Sequence, residues 1–254
     1  MSIKPEKRQG QSMSGDTSAD SIGDTQRAEP DDSPWRIRFE TIYRQLRGRI
    51  TLLHYPPGMR LNVDDLADEF NVSRTPIRTV LQRLEWEGLA ITRHGVGTAV
   101  TEIDFENVRE AMLLRMHLAE LIGTLDPKQP GEDLLQSLET LQRECDKFTH
   151  KLALQEFAHV DMRLHDCKCS LIGNKPLKRT YDELYYRSVR MWFHYLPRMD
   201  WPTEAGALLE DLRLTKAALS RGDVKAMGFI TRNAISAGLF RVYGLISDGG
   251  PQWA

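Results

Sequence analysis

Two groups of residues in this sequence have types and spacings suited to chemistry. The first is Arg74 and Arg78, four apart and just behind Ser73 in the run VSRTPIRTVLQRL. At about 100° per residue, Arg74, Thr75, Arg78 and Gln82 share one face of a helix whose other face carries Ile77, Val80 and Leu84. Guanidinium forks at i and i+4 near a helix start can meet guanine edges or phosphates, and first-turn N–H groups favour anions. The same pair also suits an ordinary solvated helix face, so the pair alone does not decide. The second group is Asp161-x-x-x-His165, a carboxylate and an imidazole one helical turn apart that can grip one ion or solute. A two-donor pair with no companion is more often a surface hydrogen bond than a metal site.

The elements that must position the first group read clearly. Phe39, Ile42, Tyr43, Leu46, Ile50 and Leu53 recur at helical spacing from Trp35 up to Pro56-Pro57-Gly58. A short second helix follows Asn62 as N-cap, with Leu66, Ala67 and Phe70 inward, Asp64, Asp65, Asp68 and Glu69 outward, and Asn71 suited to the left-handed end. Ser73 is placed to cap a third helix with Pro76 in its first turn, where a missing N–H does no harm. Gly88 ends that helix, and 89–92, 94–97 and 98–101 read as strand, turn, strand. Three helices and a β-hairpin make a winged helix-turn-helix. From Asp104 onward only helical patterns remain, over 104–125, 132–148, 151–172, 175–196, 202–221 and 223–245, an all-α bundle broken at residues with turn chemistry. The fold class is therefore mainly α, with a winged head followed by a helical ligand domain.

Composition bounds the partners. The 254 residues carry a formal net charge of −2 and a pI near 6.4, so a polyanion would have to be met by a local patch. Residues 35–103 supply one, with ten arginines, no lysine and eight acids. The first 34 residues are poor in large apolar side chains and read as a disordered tail. The expected division is 1–34 tail, 35–103 DNA-binding domain, 104–246 effector-binding and dimerisation domain, and 247–254 flexible tail. Cys145, Cys167 and Cys169 are an odd number without a signal peptide, which points to a reducing cytoplasm, and the single-residue gap in Cys167-x-Cys169 suits core packing. No apolar run approaches the ~20 residues a membrane span needs.

The stretch PPGMRL followed by DDLADEFNVSRTPIRTVLQRLEWEGLAITRHGVGTAV resembles the GntR family of winged-helix regulators over about 65 residues. The resemblance implies that Ser73, Arg74, Thr75 and Arg78 contact double-stranded DNA in the major groove, with His94 and Gly95 at the wing tip; Arg60, Arg83 and Arg93 are weaker phosphate candidates. Asn71 replaces the usual glycine, and Asp64 stands where several relatives carry an operator-binding arginine. The helices that follow, with Asp161-x-x-x-His165 in the third and GNKPL closing it, resemble the FadR-type (FCD) ligand domain. There, this pair joins two further histidines around a divalent metal that helps bind small organic acids. Here Leu212 and Ala234 take the two histidine positions, so the metal site is incomplete and zinc, nickel or manganese is expected to be held weakly or not at all. His117, His159 and His194 are the conceivable substitutes.

Arg115 stands where many relatives pair an arginine with a ligand carboxylate, a plain salt bridge being the alternative. Trp192, with Met191 and Tyr195, suits either a pocket wall or the core. The expected function is a transcriptional regulator, binding a pseudo-palindromic operator as a homodimer and controlled by a small organic acid. A repressor without an effector is the nearest alternative. A metal-dependent hydrolase built on His159, Asp161, His165 and Asp166 lacks a second motif, a nucleophile elbow or a phosphate-cradling loop.

Overall fold

The structure, a computed structural model, describes residues 33–247. The expected tails fall outside that range except at their inner ends: Ser33 caps the first helix by accepting from the Arg36 N–H, Pro34 opens it, and Ser247 ends the last. The order is α1 (Pro34–Thr51), β1 (Arg60–Leu61), α2 (Val63–Glu69), α3 (Arg74–Trp86), β2 (Ala90–Arg93), β3 (Gly97–Val100), α4 (Phe105–Leu121), α5 (Glu132–Asp146), α6 (Leu154–Ser170), α7 (Lys175–Tyr195), a 3-10 turn, α8 (Trp201–Leu219) and α9 (Val224–Ser247). The protein is mainly helical, with a winged helix-turn-helix followed by a helical domain. Among the described residues no helix is long and apolar enough to cross a membrane.

In the head, Ile42, Leu46 and Ile50 of α1 meet Leu66 of α2 and Ile77, Val80 and Leu84 of α3 in one buried cluster. Each such side chain contributes about 1.5–3 kcal/mol of burial. Asn62 accepts from the Asp64 N–H, and Asn71, at φ 50°, makes the left-handed turn that aims α3 away from α2. Ser73 occupies the N-cap position of α3, but its hydroxyl makes no capping bond, contrary to expectation. The sheet has order β1-β3-β2, with Arg60 opposite Ala99 and Arg93 opposite Gly97. Strand β1 was not anticipated, because two residues are too short to show alternation.

In the helical domain α4 lies between α7 and α9, and α8 packs on α5 and α9. Helix α4 and the turn after it approach α9 backbone to backbone: a Cβ on Gly228 would stand 2.6 Å from the Ala119 carbonyl oxygen, and one on Gly123, just beyond α4, would stand 2.2 Å from the Lys225 Cα. Helix α6 begins three residues later than the periodicity indicates, with Ala153 in the N-cap place and no side-chain cap to extend it. Helix α4 ends at Leu121 rather than near 125, its last turn loosening into tight turns that lead to Asp126 at φ 54°.

The two halves are joined by more than the chain. The buried Arg190 of α7 donates to the Thr101 hydroxyl at 2.8 Å and to its carbonyl at 2.5 Å. Arg47 of α1 donates to Asp182 of α7 at 2.8 Å and lies 3.5 Å from the centre of the Tyr186 ring. Burial lowers the Arg190 pKa to about 10, still charged at neutral pH. Removing a buried donor leaves its acceptors unpaired, at a cost of about 1–3 kcal/mol. Arg190→Ala should therefore lower the thermal midpoint and expose the segment around 101–104 to limited proteolysis. Unchanged cleavage kinetics would show that the contact does not hold the head.

Candidate DNA interface and ligand cavity

The outer face of α3 is built as the periodicity requires. Ile77, Val80, Leu81 and Leu84 are buried, whereas Ser73, Arg74, Thr75, Arg78 and Gln82 are exposed. Arg78 makes no ion pair among the described residues, but Arg74 Nε lies 2.5 Å from Asp64 Oδ1 on α2. The wing is fixed relative to α3: the Glu85 carboxylate accepts from the Thr92 N–H at 2.8 Å and its hydroxyl at 2.9 Å. His94 and Gly95 form the exposed tip, where Gly95 adopts φ 74°, a conformation that costs a side-chain-bearing residue energy.

The weaker phosphate candidates divide. Arg60 donates to the Val96 carbonyl beneath the wing tip. Arg83 is taken up by Glu40 at 2.7 Å and Glu87 at 3.1 Å and stacks 3.5 Å from the centre of the Tyr43 ring, so it serves the fold. Arg93 stays exposed.

In the helical domain, α4, α6, α7, α8 and α9 enclose a cavity of about 360 Å³, within the range of small-molecule sites. Arg115, Asp161 and His165 all line it, as does Trp192, whereas Met191 is core and Tyr195 lies outside the lining. His117, His159 and His194 are exposed and take no part. Sequence reasoning missed the other charges here. Lys168 Nζ sits 2.8 Å from both Asp211 oxygens, and Arg241 forks onto Glu204 at 2.6 and 3.1 Å. Lys168, seven residues beyond Asp161, lies on the same helical stripe, and that spacing could have revealed it.

Asp161 and His165 do not converge. Asp161 accepts a 2.7 Å hydrogen bond from the Tyr185 hydroxyl, while His165 Nε2 lies 3.0 Å from Asp182 Oδ1 and its ring stacks 3.6 Å from Tyr185. Burial pushes the His165 pKa down to about 4, so it is neutral. Ala234 lines the cavity without a donor, and Leu212 is wholly buried in the core. A four-donor metal set therefore does not fit the cavity. Arg115 is the exception among its basic side chains: it belongs to no ion pair among the described residues and shares a hydrogen bond with Tyr181, while its enclosed Nε has no hydrogen-bond partner. Its guanidinium carbon lies 4.8 Å from the Tyr185 ring centre.

Burial raises the Asp161 carboxyl above its ordinary value, against the Tyr185 hydrogen bond and the Arg115 charge. A carboxyl raised in the folded state contributes stability that is present at low pH and lost as pH rises through its folded pKa. Tyr185→Phe removes the bond that favours the ionised form. The variant should lose more thermal stability relative to the parent at pH 8 than at pH 5, and an equal loss at both would contradict this account.

Residues 38–100 match the gntR family of bacterial regulatory proteins. The chain is 28% identical over 153 residues to YdhC of Bacillus subtilis, described as an uncharacterized HTH-type transcriptional regulator, covering 60% of this chain and 67% of that protein. It is 26% identical over 156 residues to the HTH-type transcriptional repressor RspR of Escherichia coli, covering 59% of this chain and 68% of that protein. Among solved structures, Escherichia coli McbR/YncC superposes with a TM-score of 0.70 at 17% identity, over 82% of this chain and 98% of that one, a likeness of fold. These sequence relatives are regulators rather than enzymes. The comparisons thus support a DNA-binding transcriptional regulator whose N-terminal helix-turn-helix, over residues 38–100, is similar to that of the GntR family.

Proposed function

We propose that this regulator is a cytoplasmic homodimeric repressor on a pseudo-palindromic operator, controlled by a small organic acid held in the cavity of a FadR-type helical domain. In this reading residues 35–103 bind DNA and 104–246 bind the effector and dimerise. Ser73, Arg74, Thr75 and Arg78 enter the major groove, and His94 and Gly95 meet the adjacent backbone or minor groove. Their common exposure on a face fixed to the wing supports this role. Exposed Leu114 and Leu121, seven apart on α4, with Phe229 and Phe240 on α9, supply apolar surface for a second copy. Three free cysteines suit a reducing compartment.

The observation that carries the effector reading is the unpaired Arg115 Nε in a cavity whose other basic side chains already have carboxylate partners. A carboxylate from outside would complete the set, received by Arg115, with Asp161 and His165 beside it. The cavity's mainly aliphatic and aromatic remainder, including Met112, Val189 and Trp192, favours an acid with an apolar body.

Thermal shifts with a panel of short and aromatic carboxylic acids test this. At least one should stabilise the parent and change its DNA affinity, and Arg115→Ala should abolish both effects. Stabilisation by none, with operator binding intact, would favour a repressor without an effector. On DNA recovered by selection from a random pool, Arg74→Ala and Arg78→Ala should each weaken binding by about 1–3 kcal/mol at fixed salt. Asp64→Ala should strengthen it, because it frees Arg74 and removes an anion facing the phosphates. Weaker binding by Asp64→Ala would mean that the ion pair positions Arg74 for contact.

A further inference from the structure

Beside the cavity, where α6 meets α7, three possible metal ligands from two helices lie together: His165, Cys169 and Asp182, their ligand atoms all within 4.8 Å of one another. Cys169 Sγ is 3.3 Å from His165 Nε2, which is 3.0 Å from Asp182 Oδ1. Ligand atoms around a tetrahedral zinc stand about 3.3–3.8 Å apart, given bonds of about 2.0–2.3 Å. Two of the separations, 3.3 and 3.0 Å, lie at or just below that range and the third is no more than 4.8 Å, and we propose that His165, Cys169 and Asp182 form a binding site for a divalent cation of the zinc class. It shares His165 with the Asp161 and His165 pairing but does not use Asp161, and it does not depend on the effector reading.

Three features favour this over simple packing. His165 and Cys169 are four apart on one helix, so α6 presents imidazole and thiol in one direction, and both are buried. The ring is held by its stack on Tyr185, with 6° between the planes, which keeps Nε2 aimed at the group. The Asp182 oxygens are divided: Oδ2 takes Arg47, while Oδ1 is hydrogen-bonded to the imidazole. Arg47 thus orients the carboxylate as a second-layer partner does in metal sites. Nitrogen, sulfur and oxygen donors together suit a borderline-soft ion and not magnesium or calcium.

Asp182, with a side chain 28% exposed, gives the ion a way in and leaves a fourth position for water. On binding, the imidazole proton that faces Asp182 shifts from Nε2 to Nδ1, and Cys169 releases its thiol proton to solvent. The resulting charge of −2 on thiolate and carboxylate offsets the cation, and with the Arg47 guanidinium on Asp182 the group keeps a net charge of +1.

The test is Co2+ added to the purified, tag-free full chain, followed by Zn2+ displacement and elemental analysis after dialysis. One ion per chain is expected, with a near-ultraviolet thiolate-to-cobalt band and intense tetrahedral bands in the visible. Cys169→Ser and Asp182→Asn should each weaken binding at least tenfold, while Cys167→Ser and Asp161→Ala leave it unchanged, with circular dichroism establishing that each variant is folded. Should a variant not fold, the thiolate band of the parent still decides. No stoichiometric ion, or cobalt without that band, would overturn the proposal. Loss of binding in Asp161→Ala would overturn it by placing the ion in the cavity.

Discussion

A charge taken out of water must find a partner, and much of the helical domain follows from that requirement. Lys168 and Asp211, Arg241 and Glu204, and Asp182 with Arg47 and His165 are pairings that cross from one element to another. Each contributes little net stability compared with a well-packed apolar contact, since desolvation consumes most of the attraction. What such pairs do provide is penalty: a helix that slides by one turn strands two charges in a poor solvent. The walls of the cavity are thereby held in one arrangement, and Arg115, hydrogen-bonded to Tyr181 and near the Asp161 charge, keeps an enclosed Nε with no partner.

The same rule reaches the head. Arg47 is positioned by Tyr43 on its own helix, by the face of Tyr186 and by Asp182, which in turn touches His165 on the cavity wall. A contiguous set of polar contacts therefore runs from the putting-together of the cavity to α1, the helix that carries α3 on its other side. It is a physical route by which a rearranged wall could bias the head; a coupling energy would establish its use.

Much of this was legible in the sequence. The α3 face and its buried stripe follow from a 3.6-residue period, and Asn62, Asn71 and Gly88 mark the ends of elements because caps and left-handed turns are local chemistry. Local chemistry also misled: Ser73 had the right type and place for a cap, yet its hydroxyl makes no such bond. The wing's third strand was hidden because two residues carry no period. At the cavity, Asp161 and His165 were read as a pair, Arg115 as a candidate for a ligand carboxylate and Trp192 as pocket wall or core, but their partners were not read. Asp182, Asp211 and Glu204 come from other helices, and nothing in a single sequence indicates which carboxylate meets which cation across such distances.

Thr101 has a consequence for scale. Its N–H donates to the Leu89 carbonyl, its hydroxyl donates to the Gly88 carbonyl, and both its oxygens accept from Arg190. One residue therefore clamps the end of the reading helix, the root of the wing and the helical body at a single point, where a free linker would have let the head swivel. In the proposed assembly of two such chains the gap between the two α3 helices is consequently a property of rigid bodies, like the jaws of a locked caliper. Inserting a base pair between half-sites would change both their separation and their rotation about the DNA axis, and a clamped head has little slack with which to follow.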